Sequence, residues 1–246
     1  ANREPRFYAS VAYNGDVWNL LNSNKNAGEP QNIQVFYYRG DGNGYTNSMF
    51  WLRTGIGVKK FVHPDDMGKG DNNEELIKKK VEPAIRYAEV LLIYAEALNE
   101  LNGQYDIPSW DGNKTHMIKR DINEMKKGIR PIRIRAGVPD YTQEEYDDPI
   151  EFRKKLKRER QIELFAEGHR FFDIRRWCDA PIEEALPIYG CNIYLTSENP
   201  DGFHTPIEVT SLPTMFTTKM WFWPIHHNIM KRNMWMIQNP GWKDPE

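Results

Sequence analysis

Glu159, Glu163 and Glu167 recur at intervals of four, so at 3.6 residues per turn they stack on one side of a helix. Phe152 and Leu156 continue the stripe toward the N-terminus, and an apolar face becomes a carboxylate face partway along. Acids at this spacing suit two chemistries, a carboxylate-bridged metal cluster or an ion-paired framework. The metal cluster is built from Glu-x-x-His pairs, and the residue three before His169 is Ala166. Arg170, Arg175 and Arg176 follow among Phe171, Phe172, Ile174 and Trp177, and cations compete with metal for the same oxygens. The stripe therefore reads as a structural charge lattice, with Glu159, Glu163 and Glu167 neutralised by Arg170, Arg175 and Arg176. Buried charges persist only when paired, and removing one partner costs about 3–5 kcal/mol.

The remaining polar groups offer less chemistry. His226 and His227 are adjacent, and neighbours on an extended strand point to opposite faces. Neither Asp41-Gly42-Asn43-Gly44-Tyr45 nor the loop from Asp65 to Glu75 fits an EF-hand: in the first, Tyr45 stands at the fifth position and Leu52 at the twelfth, where a bidentate Glu is needed. Both read as solvated turns. A glycosidase needs two opposed carboxyl groups, and no motif proposes a pair. No G-x-S-x-G, supported S-x-x-K or P-loop occurs. The basic run from Arg153 to Arg160 is interleaved with Glu151, Glu159 and Glu163, which marks a solvated helix face and no nucleic-acid patch. No metal or cofactor is expected.

With 246 residues, 39% of them hydrophobic, the chain is long enough for a real core. A formal net charge of −2 favours neither nucleic acid nor an anionic membrane. No run of 18 apolar residues spans a bilayer, and no signal peptide is visible. Cys178 and Cys191 leave a disulfide open, and without a CxxC they exclude a zinc ribbon. Eight Trp, twelve Tyr and eleven Phe are the one compositional excess. Aromatics beyond the needs of a core serve as platforms for sugars or peptides.

The elements that position these residues follow from local pattern. FYASVAY (7–13), IQVFYYR (33–39) and WLRTGIGVKKFVHP (51–64) read as strands between Gly/Asn/Asp turns. Pro83 to Leu101 reads as a helix whose circumference is almost wholly apolar, so it is packed between neighbours. Residues 115–127 read as its returning helix, and Gly128 with Pro131 predicts a kink or break before Arg133 and Arg135, two further partners for the glutamates. Thr142 with Glu145 forms a capping box. Asp148 and Pro149 open the glutamate helix with Glu151 placed to close another, and Gly168 relaxes or ends it. Five prolines then punctuate a long connection to a strand KMWFWPI (219–225) and a QNPGW tail that tucks Trp242 into the core.

ERQIELFAEGHRFFDIRRW, with RYAEVLLIYAEALNEL upstream, RIRAGVP between them and QNPGW at the end, resembles the SusD/RagB family of outer-membrane nutrient-binding lipoproteins. EPRFYASVAYNGDVW resembles its DPRF…YNG…W segment with Glu4 for Asp, and WPIHHNI its LPIP segment with His226 and Asn228 substituted. The resemblance runs from Pro5 to Trp242 and implies a mainly α fold: tetratricopeptide-like helix pairs with a loop-rich, short-strand C-terminal SusD-type region. It implies that residues 1–246 are one domain, the C-terminal part of such a protein, with the N-terminal helical-repeat half outside it. It also implies a glycan-binding role without catalysis, a TonB-dependent outer-membrane transporter as partner, and a cell-surface location through an N-terminal lipid anchor. A peptide ligand, a glycan-active enzyme and a helical scaffold for a protein partner are the rival readings. Sugar rings present C–H faces to aromatic planes, and the loop-borne Trp18, Tyr45, Trp51 and Trp110, flanked by Asn, Asp or Gly, are the candidate ligand-binding residues.

Overall fold

The computed structural model of the chain describes residues 2–20, 31–46, 51–63, 66, 79–81, 83–212, 214–233 and 235–243. Most of the Asp65–Glu75 loop lies outside them. The architecture is mainly helical with short strands. It divides into two compact units, Ala1–Tyr37 with Ile56–His169, and Tyr38–Gly55 with Arg170–Glu246.

The first unit opens with a short helix, α1 (Pro5–Ser10), where a strand was expected. Pro5 at its first turn presets helical φ, and only β1 (Val11–Ala12) is extended, paired with β4 (Gly57–Val58). A second antiparallel pair joins β2 (Asp16–Leu20) to β3 (Gln31–Val35). Helix α2 (Tyr87–Asn99) follows, shorter at both ends than its pattern. Residues 115–127 do not return as one helix. Tyr105–Pro108 and Thr115–Ile118 form a hairpin, β5 and β6, about the Asp111-Gly112-Asn113 turn. Asp121 then accepts the amides of Asn123 and Glu124 and starts α3 (Ile122–Arg135).

The predicted break at Gly128 and Pro131 is not found, because α3 runs through both. Pro131 is exposed, where water can meet the carbonyl its missing N–H leaves undonated. Gly128 is where α3 meets α2: a Cβ there would stand 2.5 Å from the Leu91 carbonyl oxygen and 2.9 Å from the Ala95 Cβ. Ala88, Leu92, Ala95 and Leu98 of α2 pack with Met125, Ile129 and Ile132 of α3, and Tyr146, Phe152 and Leu156 complete the core. The opposite stripe of α2, Tyr87, Val90 and Ile93, is exposed, although the pattern had placed neighbours on both sides.

Thr142 and Glu145 form the expected capping box at α4 (Gln143–Asp147), and Asp148 caps α5 (Pro149–Glu163) through the amides of Ile150 and Glu151. Glu151 itself receives Lys154. The helix stops at Leu164, before Gly168, and Ala166 (φ 61°) and Gly168 (φ 83°) turn the chain away.

Glu159 and Glu163 are buried on α5 to within a few per cent. Arg6 reaches Glu159 at 2.7 Å and Glu163 at 3.1 Å, and Arg133 reaches Glu159 at 2.6 Å. Arg135 and Arg86 both meet Glu163, Arg86 grips Glu167 through two nitrogens at 2.7 Å, and Lys60 also pairs with Glu167. Arg86 and Lys60 further donate to the carbonyl of Glu163, and Lys60 to that of Phe165, which serves carbonyls that a helix C-terminus leaves open. The lattice exists, but with other arginines than those expected. Arg170 pairs with Glu183, Arg175 with Glu184, and Arg176 with Asp173. The turn at Ala166–Gly168 ends the shared helix face, and local acids meet these three cations instead.

The second unit holds α6 (His169–Arg176, less its first residue), α7 (Ala180–Glu183), β7 (Tyr189–Gly190), α8 (Pro200–His204), β8 (Ile207–Glu208) and α9 (His227–Arg232). KMWFWPI is not a strand. Residues Thr218–Trp221 form a 3-10 turn, and the Trp242 indole donates to the carbonyls of Lys219 and Phe222, both at 3.0 Å, taking acceptors a strand partner would need. Trp242 thus clamps the tail, half-buried with the Lys219 ammonium 4.9 Å from its ring centre. His226 accepts the Asn228 amide and starts α9. Cys178 and Cys191 are free thiols.

Gly128→Ala should lower stability to urea by about 1–3 kcal/mol, the range for an overpacked contact, and an unchanged midpoint would mean that α2 and α3 do not touch there. For the lattice, burial alone pushes the Glu163 and Glu167 carboxyls up, but the bonds from Arg135, Arg86 and Arg6 on one, and Arg86 and Lys60 on the other, outweigh it and hold both below the ordinary glutamate value. A carboxyl lowered by folding contributes stability that is full above its unfolded pKa and lost as pH falls through its folded one. Urea resistance should therefore be flat above about pH 5 and decline below the usual glutamate range near 4.3. Glu163→Gln should cost about 3–5 kcal/mol at neutral pH and flatten that acid decline; a variant with wild-type stability and acid response would dissolve the lattice.

Candidate functional site

Two segments of the second unit, 38–55 and 188–209, are knitted by backbone bonds. Cys191 donates to the Thr54 carbonyl and Arg39 to that of Leu195, each at 2.9 Å, while β7 pairs with β8. Their approach needs glycine. A Cβ on Gly190 would stand 2.7 Å from both Cα and O of Thr54, and one on Gly55, at φ 65°, would stand 2.9 Å from the Cys191 Cβ. Beneath them Tyr38 and Phe203 meet edge to face at 4.7 Å, with Ile193 and Val209 buried alongside.

This small core carries an aromatic cluster. The turn at Asp41–Gly44 folds back so that Gly40 donates to the Tyr45 carbonyl. Tyr45 then stands between Trp51, at 5.1 Å and 81°, and Tyr194, at 5.1 Å and 73°. Tyr45 and Trp51 are half-buried, and Tyr194 is 55% exposed. The Arg53 guanidinium lies 6.0 Å from the Trp51 ring centre, and its Nη1 donates to the Ser211 carbonyl at 3.5 Å. The cluster offers ring faces, two phenol hydroxyls and one guanidinium. Burial pushes the Cys191 thiol up, which keeps it protonated and inert.

Of the four aromatics singled out from the sequence, Tyr45 and Trp51 come together here. Trp18 and Trp110 belong to the first unit. Trp18 lies on β2, with its indole N–H buried without an acceptor among the described residues and the Lys59 ammonium 5.7 Å from its ring. Trp110 is 98% exposed at the tip of the β5–β6 hairpin. That tip is pinned by Asp111, which accepts from Ser109 Oγ and from the amide and side chain of Asn113. Tyr194 and Arg53 escaped the sequence reading.

Among the described residues no group of three or more His, Cys, Asp or Glu side chains could hold a metal ion, and no helix is long and apolar enough to cross a membrane. The family model described as the SusD family matches residues 1–242. The chain belongs to that family. SusD-family membership accords with three solved structures. The selenomethionine form of BT4246 superposes with a TM-score of 0.76 at 26% identity, over 98% of this chain and 38% of that one. A SusD-like protein of Bacteroides fragilis, BF3747, gives 0.64 at 24% over 98% and 39%. A SusD-like carbohydrate-binding protein of the same organism, BF0978, gives 0.60 at 24% over 91% and 39%. The last two show the shared fold alone. The chain thus spans about two fifths of the length of these SusD-family structures. No match was found among curated proteins.

Gly190→Val should force Thr54 away and separate the two knitted segments. The near-ultraviolet dichroism of the aromatic cluster should fall while the far-ultraviolet helical signal is kept, and an unchanged aromatic band would show that the close approach does not position the cluster.

Proposed function

We propose that this chain is the glycan-binding part of a SusD-type surface lipoprotein, which captures an oligosaccharide and delivers it to a TonB-dependent outer-membrane transporter, with the lipid anchor on an N-terminal segment. The observation that carries this reading is the Tyr45–Trp51–Tyr194 cluster. Exposed and half-exposed rings on a small rigid base suit the apolar C–H faces of sugars, while tyrosine hydroxyls and Arg53 suit their oxygens. BF0978 is described as a SusD-like carbohydrate-binding protein, which agrees with the same ligand class.

Binding without turnover is favoured by the chemistry of the site. The rings, phenols and guanidinium of the cluster include no carboxylate, where glycoside hydrolysis requires two. We read the α2–α3 pair as one tetratricopeptide-like unit, and the exposed stripe of Tyr87, Val90 and Ile93 as the face against which a further helix pair of the full-length protein stacks. Trp110, on its pinned hairpin in the first unit, is a separate candidate contact for a glycan.

Retention on glycan-containing native gels tests the proposal. Wild-type protein should be slowed by at least one polysaccharide and release no new reducing ends. Trp51→Ala and Tyr194→Ala should each weaken binding by about thirtyfold or more, the loss expected of a hot-spot aromatic worth about 2 kcal/mol. Retention that survives both substitutions would move the site elsewhere, and the appearance of reducing ends would make the protein an enzyme.

A further inference from the structure

The Arg53 guanidinium differs from those of the lattice. Arg6, Arg86, Arg133 and Arg135 are each committed to a carboxylate. Arg53 is exposed, is held by the Trp51 ring on one side and a long bond to the Ser211 carbonyl on the other, and has no carboxylate within ion-pair distance among the described residues. The stretch 38–55 carries Arg39 and Arg53 against Asp41, while 188–209 carries Glu198, Asp201 and Glu208, none of which pairs with Arg53. A guanidinium is weakly hydrated for a cation, and its planar fork matches a carboxylate with two parallel hydrogen bonds. A sugar stacked on the indole carries its exocyclic C6 group at the rim of the ring, within reach of a cation beside that indole.

From this juxtaposition we infer that the cluster selects an anionic glycan, one whose uronic-acid carboxylate is received by Arg53 while the ring that bears it, or its neighbour, stacks on Trp51 and Tyr194. The inference rests on the glycan-binding reading and narrows it to a substrate class. Trp51 and Tyr194 supply affinity for any sugar face. Arg53 supplies the preference for acidic over neutral residues.

The test compares polygalacturonate, alginate and hyaluronate, each beside its carboxyl-reduced derivative, which keeps linkage and shape and removes the charge. Neutral xylan and mannan extend the panel, and the readout is native-gel retention followed by calorimetry on whatever is retained. At least one acidic polymer should bind tenfold or more tightly than its reduced twin, with a margin that shrinks as sodium chloride is raised. Arg53→Met should bring the acidic polymer and its reduced twin to equal affinity, and Arg53→Lys, which keeps charge but loses the fork, should retain part of the margin. Because Arg53 is exposed, both variants should melt with the wild type, and an unchanged near-ultraviolet spectrum checks that Trp51 and Tyr45 keep their places. Equal affinity for acidic and reduced forms, or a margin that survives Arg53→Met, overturns the inference. Retention by neutral polymers alone, abolished by Trp51→Ala, overturns it and leaves the glycan-binding reading standing. No retention by any polymer of the panel counts against both.

Discussion

A carboxylate taken out of water must be met by cations and donors or it does not stay ionised, and the first unit is arranged around three such groups. Glu159 and Glu163 lie one turn apart on α5 and Glu167 follows just past its end, yet their partners come from distant parts of the chain: Arg6 in α1, Lys60 after β4, Arg86 at the mouth of α2, and Arg133 and Arg135 in the last turn of α3. Each of these segments is tied to the acids by a guanidinium or ammonium. Tyr141 joins the network, donating to Glu159 with the Arg133 guanidinium 3.9 Å over its ring. The apolar core of α2, α3 and α5 supplies the burial, and the lattice specifies which helix ends meet. An arrangement that left one of these acids unpaired would carry a buried charge, so alternatives close in packing are far apart in energy.

The second unit reaches order by different means. Its helices are short and its apolar core is small, built around Tyr38, Ile193, Phe203 and Val209. Backbone groups therefore carry much of the cohesion, through the two-residue β7–β8 pair, the bonds from Cys191 and Arg39, and side chains that stand in for a missing strand partner. Gln238 donates to and accepts from the backbone of Ile225, and Asn239 donates to the carbonyl of Trp223. Such close backbone approach is open only where side chains are absent, which explains glycines at 55 and 190. Aromatics that a large core would have consumed are left at the surface of a rigid base.

What was legible in the sequence follows the same division. The helical periodicity of α2 and α5, the Thr142–Glu145 box and the Asp148 cap are local signals, set by residues within four of one another, and they appear in the structure. The inward-facing glutamates were legible too, because an acid in an apolar stripe is anomalous wherever its partners lie. Which arginines answer them was not: Arg170, Arg175 and Arg176 were nearest in sequence, but Ala166 and Gly168 redirect the chain before them, and positive φ at an alanine carries no sequence signature. The break assigned to Gly128 and Pro131 failed for a related reason. Glycine was read as a helix breaker when it was required by the approach of α2, a tertiary demand that local propensity does not record. At the candidate site, Tyr45 and Trp51 were found by their loop context, while Tyr194 and Arg53 were missed because what distinguishes them is the neighbour each has across the knitted segments.

Edge-on packing gives the cluster a property that composition alone would not. Tyr45 meets both Trp51 and Tyr194 at steep angles, so the three rings brace one another while the outer two keep faces turned from their shared contact. Rings packed against one another have fewer rotamers to lose on binding, and ordering side chains at an interface otherwise costs about 0.5–1.5 kcal/mol each. A weak stacking contact per sugar can then appear as net affinity instead of being absorbed by ordering. The same reasoning makes the glycines at 55 and 190 part of the platform. A platform made of two segments of chain is only as rigid as the distance between its backbones, and at Gly190 and Gly55 that distance is set by the absence of a side chain.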